Sequence, residues 1–314
     1  MDFKKYPLTQ SLISRFLYKG EERELFCPSK TYHIDMIHSH HYRTASMLNG
    51  SYFETLCIGS GAGGRITDDL PRKRLVKARE LENIKRKETG LPEVKGEKTM
   101  DQIRIEQQAQ RFKILCGKYQ ISAFEGNTQI KVKVPWHKNP DVLLSAEFDI
   151  FPSGIMTNEK LFPEDTGMRV AIIDLKLSAD IDSKFGEYCW GSAEYLDIIQ
   201  AMTYHYVARE SIKHLDLNPH LLDLLTKPVV NNIKENRLQF YYWVFNYKKN
   251  TLDDRLIKIE WDLKREQELH EAIRKVVSLI EFYEAQSWPT KPQYKLCKEC
   301  TVFECKDKTS IQNV

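Results

Sequence analysis

The spacing of apolar residues predicts helices toward both ends of the chain and a block of strands between them. Residues 1–60 read as helical with polar interruptions, and a further helix is predicted at residues 99–116, with Thr99 as its N-cap. In the last predicted helix, residues 263–286, the apolar stripe repeats with a helical period. This stripe consists of Leu269, Ile273, Val276, Val277, Ile280 and Tyr283.

The central block has the short apolar runs that are typical of β-strands. The predicted strands are 118–124, 129–134, 142–151, 169–177, 238–247 and 256–261, with one helix at 188–209. Gly126-Asn127 is a hairpin signal between the first two strands. Residues 170–173 are continuously apolar, which is typical of a strand covered on both faces. This order of elements predicts an α/β fold with a mixed central β-sheet flanked by helices.

We expect a single domain over residues 1–314, made of four parts. A helical part covers 1–64, and a charged helical arm or insertion covers 65–116. The sheet with its helix covers 117–262, and the C-terminal helix with a group of cysteines covers 263–314.

Composition and charge allow a large buried core but do not identify a partner. Apolar residues make up 41% of the chain, charged residues 29%, and the net charge is +3. Residues 65–100 contain 11 Lys or Arg against 7 Asp or Glu. Such a basic excess can neutralise phosphates, although mixed charges are equally typical of a solvated helix face.

No apolar segment has the features of a signal peptide or approaches the roughly 20 residues of a membrane helix. We therefore expect a cytoplasmic protein. In a reducing compartment, the seven cysteines argue against a disulfide framework, and the clustered ones are better interpreted as metal or cluster ligands.

Two predicted strands carry acids and a lysine in a pattern suited to phosphodiester hydrolysis. Asp174 and Lys176 are two residues apart and share a strand face, as do Glu147 and Asp149 on the strand before. If these strands are adjacent, Asp149 lies close to Asp174. Carboxylates hold Mg²⁺ or Mn²⁺, which acidifies a bound water, and an ammonium group stabilises the phosphate oxyanion. Alone, Asp-x-Lys is also the pattern of an ordinary ion pair at a strand end.

Gln200 and Tyr204 are four residues apart and share one face of the predicted helix. In this order, Asp149, Asp174-Leu175-Lys176 and Gln200 to Tyr204 resemble the motifs of the PD-(D/E)XK nuclease superfamily, in its RecB-like exonuclease branch. The resemblance implies a restriction-endonuclease-like fold and metal binding by Asp149 and Asp174. It also implies that Lys176 is catalytic and that Gln200 and Tyr204 complete the catalytic site.

Two positions depart from the family pattern. Relatives often have His where Gly50-Ser51-Tyr52-Phe53-Glu54 has Glu54. Because Glu also binds Mg²⁺ or Mn²⁺, Glu54 is a candidate third metal ligand, and a surface Glu is the alternative. Glu147 stands where relatives commonly have Gly. It either adds a further carboxylate to the metal site or lies at the solvent edge of that site.

Four cysteines form a set that is split between the two ends of the chain. Cys297, Cys300 and Cys305 lie close together, and Cys27 offers a fourth sulfur. Four thiolates can hold an iron–sulfur cluster or Zn²⁺. The split set resembles that of AddB-type and CRISPR-adaptation nucleases of the same family. The resemblance implies a [4Fe–4S] cluster that joins the N- and C-terminal segments, with Zn²⁺ or unligated thiols as the alternatives.

These features predict a Mg²⁺- or Mn²⁺-dependent DNA nuclease, an exonuclease or end-processing enzyme of recombination, repair, phage or CRISPR-related DNA processing. The expected substrate is single-stranded DNA or duplex ends, and recombination or CRISPR-adaptation proteins are candidate partners. The alternative is a non-catalytic DNA-binding or assembly subunit that keeps the fold and cluster. The departures at Glu54 and Glu147 motivate it, whereas the intact set of Asp149, Asp174 and Lys176 argues against it. Cleavage polarity and oligomeric state stay open.

The cluster can be tested on the purified protein. We expect it to be brown and to contain iron, and we expect Cys27→Ser and Cys300→Ser to lower the iron content, because each removes a thiolate ligand. Elemental analysis with absorption spectroscopy measures both. Zinc without iron would contradict the iron–sulfur cluster, and unchanged metal content in both variants would contradict the assignment of the ligands.

Overall fold

The computed structural model describes residues 1–17, 27–37, 45–59, 70–93, 100–123, 125–156, 168–185, 198–248, 253–290, 300, 302 and 305. The chain divides into two compact units. The first consists of Met1–Arg43, Lys133–Ala146 and Asp262–Val314, and the second of Thr44–Val132 and Glu147–Trp261. The number of independently folding domains stays a prediction from the sequence.

The strands form a mixed sheet, as predicted. They are β1 (Leu8–Thr9), β2 (Thr128–Trp136), β3 (Asn139–Met156), β4 (Met168–Ser178), β5 (Leu238–Asn246) and β6 (Asp254–Ile259). The order of pairing is β1-β3-β4-β5-β6, and β2 also pairs with β3. β1 runs parallel to β3 and β4 parallel to β5, whereas the β3–β4 and β5–β6 pairs are antiparallel.

Helices precede, interrupt and follow these strands. They are α1 (Gln10–Phe16), α2 (Pro28–Lys30), α3 (Ala45–Ile58), α4 (Leu70–Glu88), α5 (Met100–Tyr119), α6 (Ile181–Phe185), α7 (Ile198–Ser211), α8 (Lys227–Lys234) and α9 (Leu263–Ala285). A π-helix at Thr31–Met36 follows α2. The charged segment is helical at α4, and α9 begins at its N-cap Asp262, whose side chain accepts a hydrogen bond from the backbone N–H of Arg265.

The strand predicted at 118–124 and its hairpin are wrong. α5 continues to Tyr119, and Gln120 then adopts a left-handed backbone with φ of 54°. The backbone N–H of Ile121 donates to the carbonyl of Cys116, which is a common way to end a helix. Glu125–Asn127 is a 3₁₀ turn that leads into β2. Gly126-Asn127 therefore marks a turn, but the turn follows a helix instead of joining two strands.

The core of the second unit covers both faces of β5. Trp243 and Phe245 pack against Phe53 of α3 and Phe112 of α5, all with 2% exposure or less. On the other face, the ring of Phe240 lies 5.7 Å from that of Tyr204 on α7. Residues 170–173 of β4 are also buried, which confirms the expectation of a strand covered on both sides.

In the first unit, the segment after Cys27 contacts the segment that follows α9. The backbone N–H of Ser29 donates to the carbonyl of Pro289 at 3.3 Å. The ring of Tyr32 stacks on Trp288 with 4.8 Å between the centroids. The segments next to the predicted N- and C-terminal cluster ligands therefore contact each other.

Across the part of the chain that the structure describes, no helix has the combination of length and apolar character that crossing a membrane requires.

The aromatic core of the second unit gives a stability prediction. We expect Phe112→Ala to lower the free energy of unfolding by about 3–5 kcal/mol, because it removes a buried ring and leaves a cavity against Trp243. Urea denaturation measures the change. Phe282→Ala is the matched control, since that ring is 55% exposed and its loss should cost less than about 1 kcal/mol. Equal losses in the two variants would contradict this account of the core.

Candidate active site

The candidate catalytic residues and carboxylate ligands all lie in the second unit. β4 carries Asp174 and Lys176, and the antiparallel neighbour β3 carries Asp149. The helices α3 and α7 carry the others, which are Glu54, Gln200 and Tyr204. Asp149 approaches β4 as expected, because its Oδ2 accepts a hydrogen bond from the backbone N–H of Leu175 at 2.7 Å.

Asp174 is held on both of its carboxylate oxygens. Only 3% of the residue is exposed. Its Oδ1 accepts a hydrogen bond from Nε2 of Gln200 at 2.7 Å, and its Oδ2 lies 2.5 Å from Nζ of Lys176. Asp174 and Lys176 therefore share a face of β4, as their spacing predicted. The lysine and the glutamine amide fix the direction of this carboxylate.

Asp149 lies in a field of negative charge. Burial raises the pKa of its carboxyl well above the usual range, and the charges of Glu54 and Asp174 raise it further. Lys176 and the hydrogen bond from Leu175 oppose this rise without cancelling it. The site therefore brings more negative charge together than its own cation neutralises.

Lys176 remains an ammonium group at neutral pH. Burial alone would lower its pKa, but the charges of Asp174, Asp149 and Glu54 outweigh burial, and the pKa is raised. The side chain is 34% exposed, and Nζ lies 5.6 Å from the centre of the Tyr242 ring. This group can therefore stabilise negative charge, but it is not suited to act as a general base.

α7 contacts the site through Gln200 and Tyr204, which lie one helical turn apart. The hydroxyl of Tyr204 donates to the backbone carbonyl of Glu147 at 2.9 Å, which ties α7 to β3. Burial, reinforced by Asp174 and Asp149, raises the pKa of Tyr204 well above its usual value, so the phenol keeps its proton. The side chain of Glu147 is partly exposed.

Tyr242 belongs to the site, although the sequence motifs do not include it. It pairs with Asp174 in the parallel register of β4 and β5, and it is 2% exposed. Its hydroxyl donates to Oε1 of Gln200 at 3.2 Å. Gln200 is therefore fixed between Tyr242 and Asp174. The sequence gives no signal for this role, because the role depends on the register of two strands that are far apart along the chain.

Gln129 is a second residue that the sequence did not single out as part of the site. Its Nε2 lies 3.5 Å from Oε1 of Glu54, and the residue is 1% exposed. Its φ is 52°, a left-handed conformation that costs a side-chain-bearing residue roughly 1–3 kcal/mol. Its Oε1 is buried and has no hydrogen-bond partner among the described residues.

The chemistry of the acids suits a hard divalent cation. Glu54, Asp149 and Asp174 offer carboxylate oxygens, which Mg²⁺ and Mn²⁺ prefer, and their mutual repulsion is what a cation would relieve. Their side chains do not already form a closed cluster: within the described residues, no three His, Cys, Asp or Glu side chains are grouped as metal ligands. The residue types of this set fit a metal ion. The carboxylates of Asp149 and Asp174 contact Leu175, Lys176 and Gln200, and that of Glu54 contacts Gln129.

The cysteine set is described only in part. Cys27, Cys300 and Cys305 belong to the first unit and form no disulfide with one another, while Cys297 lies outside the described residues. Cys57 and Cys116 are in the second unit on α3 and α5, and burial raises the pKa of both. The second pair therefore consists of core thiols, and the iron–sulfur set stays a prediction.

Comparison with known proteins supports the fold. No family model matches the sequence, and no curated protein matches it. A crystal structure of a protein named "Putative exonuclease" from Eubacterium rectale has a similar fold, with a TM-score of 0.52 and 16% sequence identity. The match covers 96% of this chain and 90% of that chain. The structure of SSO0001 matches 92% of this chain and 98% of its own at 10% identity, but its TM-score of 0.29 is too low to support an argument.

The raised pKa of Asp149 predicts a pH-dependent effect of neutralising it. At about pH 7 its ionised form destabilises the folded state, so Asp149→Asn should raise the free energy of unfolding by an amount on the order of 1 kcal/mol. Near about pH 4 the carboxyl of Asp149 is protonated and uncharged in the folded wild type. The difference in free energy of unfolding between the wild type and Asp149→Asn should therefore disappear. Urea denaturation at the two pH values measures this.

The control for this prediction is Asp216→Asn, since Asp216 is exposed and its substitution should change stability little at either pH. If Asp149→Asn destabilises the protein at both pH values, the proposed crowding of negative charge is wrong.

Proposed function

We propose that this protein is a metal-dependent DNA nuclease, an exonuclease or end-processing enzyme that hydrolyses phosphodiester bonds. One observation carries the proposal: Asp149 lies among the charges of Glu54 and Asp174, and a lysine ammonium contacts Asp174. A site with several carboxylates and one cation matches the chemistry of a phosphate held through a divalent metal ion. The motif order noted in the sequence adds support.

The similarity of fold to the protein named "Putative exonuclease" is consistent with this proposal. At 16% identity the similarity itself concerns the fold alone. Function in such a fold depends on the site residues, which here are Asp149, Asp174 and Lys176.

In the proposed mechanism, Asp149, Asp174 and Glu54 would hold Mg²⁺ or Mn²⁺. When bound, the metal ion lowers the pKa of a coordinated water and offsets charge on the phosphate. Lys176 contributes a fixed positive charge that stabilises the phosphate oxygens as negative charge builds up on them. Gln200 keeps Asp174 in one orientation.

Tyr204 has a different role, because it keeps its proton. Its hydroxyl donates a hydrogen bond to the backbone carbonyl of Glu147. This bond holds β3, which carries Asp149, against α7. We assign it the positioning of Asp149 relative to Gln200.

The basic helix α4 is suited to contact the sugar-phosphate backbone of DNA. α4 packs against α3, the helix that carries Glu54. Its exposed cations include Lys77, Lys85 and Lys87. Contacts of lysines with phosphates supply affinity without sequence preference, which suits a nuclease that acts on ends.

We further propose that Cys27, Cys297, Cys300 and Cys305 hold a [4Fe–4S] cluster, with Zn²⁺ as the alternative. The contacts of Ser29 with Pro289 and of Tyr32 with Trp288 support this proposal, because they join the segments next to Cys27 and the C-terminal cysteines.

The rival proposal is a DNA-binding or assembly subunit without turnover. It is favoured by the two protein donors on Asp174, since a metal ion would compete with Lys176 for that carboxylate. Activity separates the two proposals.

The decisive experiment is digestion of end-labelled single-stranded and duplex DNA with Mg²⁺ or Mn²⁺. We expect cleavage by the wild type and losses of at least about 100-fold in Asp174→Ala and Lys176→Ala, because each removes a group that acts on the reacting phosphate or its metal ion. Lys213→Ala is the matched control, since Lys213 is an exposed lysine paired with Glu210, and it should cleave like the wild type.

Absence of cleavage by the wild type with either metal ion would favour the non-catalytic subunit. Cleavage by Lys176→Ala at the rate of Lys213→Ala would remove Lys176 from the mechanism.

A further inference from the structure

Gln129 is kept at the start of β2 at a cost in conformational energy. Its φ of 52° is a backbone conformation that glycine adopts freely and a glutamine does not. Asn127 holds the chain just before it, because its Nδ2 donates to the carbonyls of Ser122 at 3.0 Å and Pro152 at 2.9 Å. The turn therefore fixes the backbone from which the side chain of Gln129 projects.

The buried amide of Gln129 contacts one of the three acids. Nε2 lies 3.5 Å from Oε1 of Glu54, and Oε1 of the amide has no partner among the described residues. Burying an amide oxygen without a hydrogen bond is unfavourable. Strained backbone of this kind concentrates at functional sites, and a buried oxygen without a partner requires an explanation.

In a cation site with three carboxylates, an uncharged hydrogen-bond donor can hold the third carboxylate without neutralising it. The carboxylate of Glu54 interacts electrostatically with that of Asp149, so repulsion opposes its position. A lysine or arginine beside it would hold it but would also cancel the charge that attracts a metal ion. An amide N–H holds the carboxylate and leaves the charge in place. Gln200 does the same for Asp174.

We propose that Gln129 is a positioning residue that orients the carboxylate of Glu54 for binding a divalent cation together with Asp149 and Asp174. The inference rests on the proposed metal-dependent function and adds a residue to it. Gln129 acts through Glu54, so its removal lowers metal affinity more than it lowers the rate at saturating metal.

The test measures Mn²⁺ binding directly, by the loss of the free Mn²⁺ signal in electron paramagnetic resonance. Gln129→Leu keeps the bulk of the side chain, and Gln129→Gly suits the left-handed backbone. We expect each variant to raise the apparent Kd for Mn²⁺ by about tenfold, the effect of losing a residue that orients a metal ligand. The rate at saturating Mn²⁺ should stay within about twofold to threefold of the wild type.

Two controls isolate the role. Gln108→Leu removes another buried glutamine of the second unit, whose Nε2 contacts the backbone carbonyl of Asn246 and no carboxylate, and it should leave the Kd unchanged. In a Glu54→Gln background, Gln129→Leu should have no further effect, because the carboxylate that it orients is gone.

A Kd unchanged in both Gln129 variants, or a full effect of Gln129→Leu in the Glu54→Gln background, would overturn the proposal. So would a loss of rate at saturating Mn²⁺ with no change in Kd. If the wild type binds no Mn²⁺ and cuts no DNA, the metal-dependent function itself fails, and this inference fails with it. That result is distinct because it appears in the wild type.

Discussion

The repulsion among Glu54, Asp149 and Asp174 is the constraint around which the second unit is arranged. Burial and neighbouring charge both raise the pKa of Asp149, and hydrogen-bond donors and one cation contact the acids. Leu175 supplies a backbone N–H to Asp149, and Lys176 supplies an ammonium to Asp174. Strongly shifted pKa values of this kind concentrate at functional sites, and binding of a cation is the function we propose for this one.

The elements around the acids give each one a different support. β4 is parallel to β5, which puts Tyr242 beside Asp174 and lets its hydroxyl fix Gln200. α7 contacts β3 through Tyr204. Strands that are covered on both faces provide rigid positions, because the aromatic core on one side and α7 on the other leave their side chains little freedom.

Sequence patterns predicted the elements well where the periodicity was long and failed where a local signal was ambiguous. The apolar stripe of α9 and the continuous run in β4 both correspond to observed elements. The turn predicted at Gly126-Asn127 is present, but the strand predicted before it begins within the last residues of α5. The strand predicted at residues 118–124 is replaced by a helix that continues to Tyr119 and ends where Gln120 adopts a left-handed backbone.

The sequence by itself determined the mixed α/β fold and the shared faces of Asp174 with Lys176 and of Gln200 with Tyr204. The fold follows from the order of the elements, and the shared faces follow from spacing along one element. The resemblance to the family motif made Glu54 a candidate. Only the tertiary structure decided that Tyr242 fixes Gln200 and that Gln129 reaches Glu54. Those contacts join elements that are distant along the chain, and they depend on strand register and on a backbone conformation that residue type does not reveal.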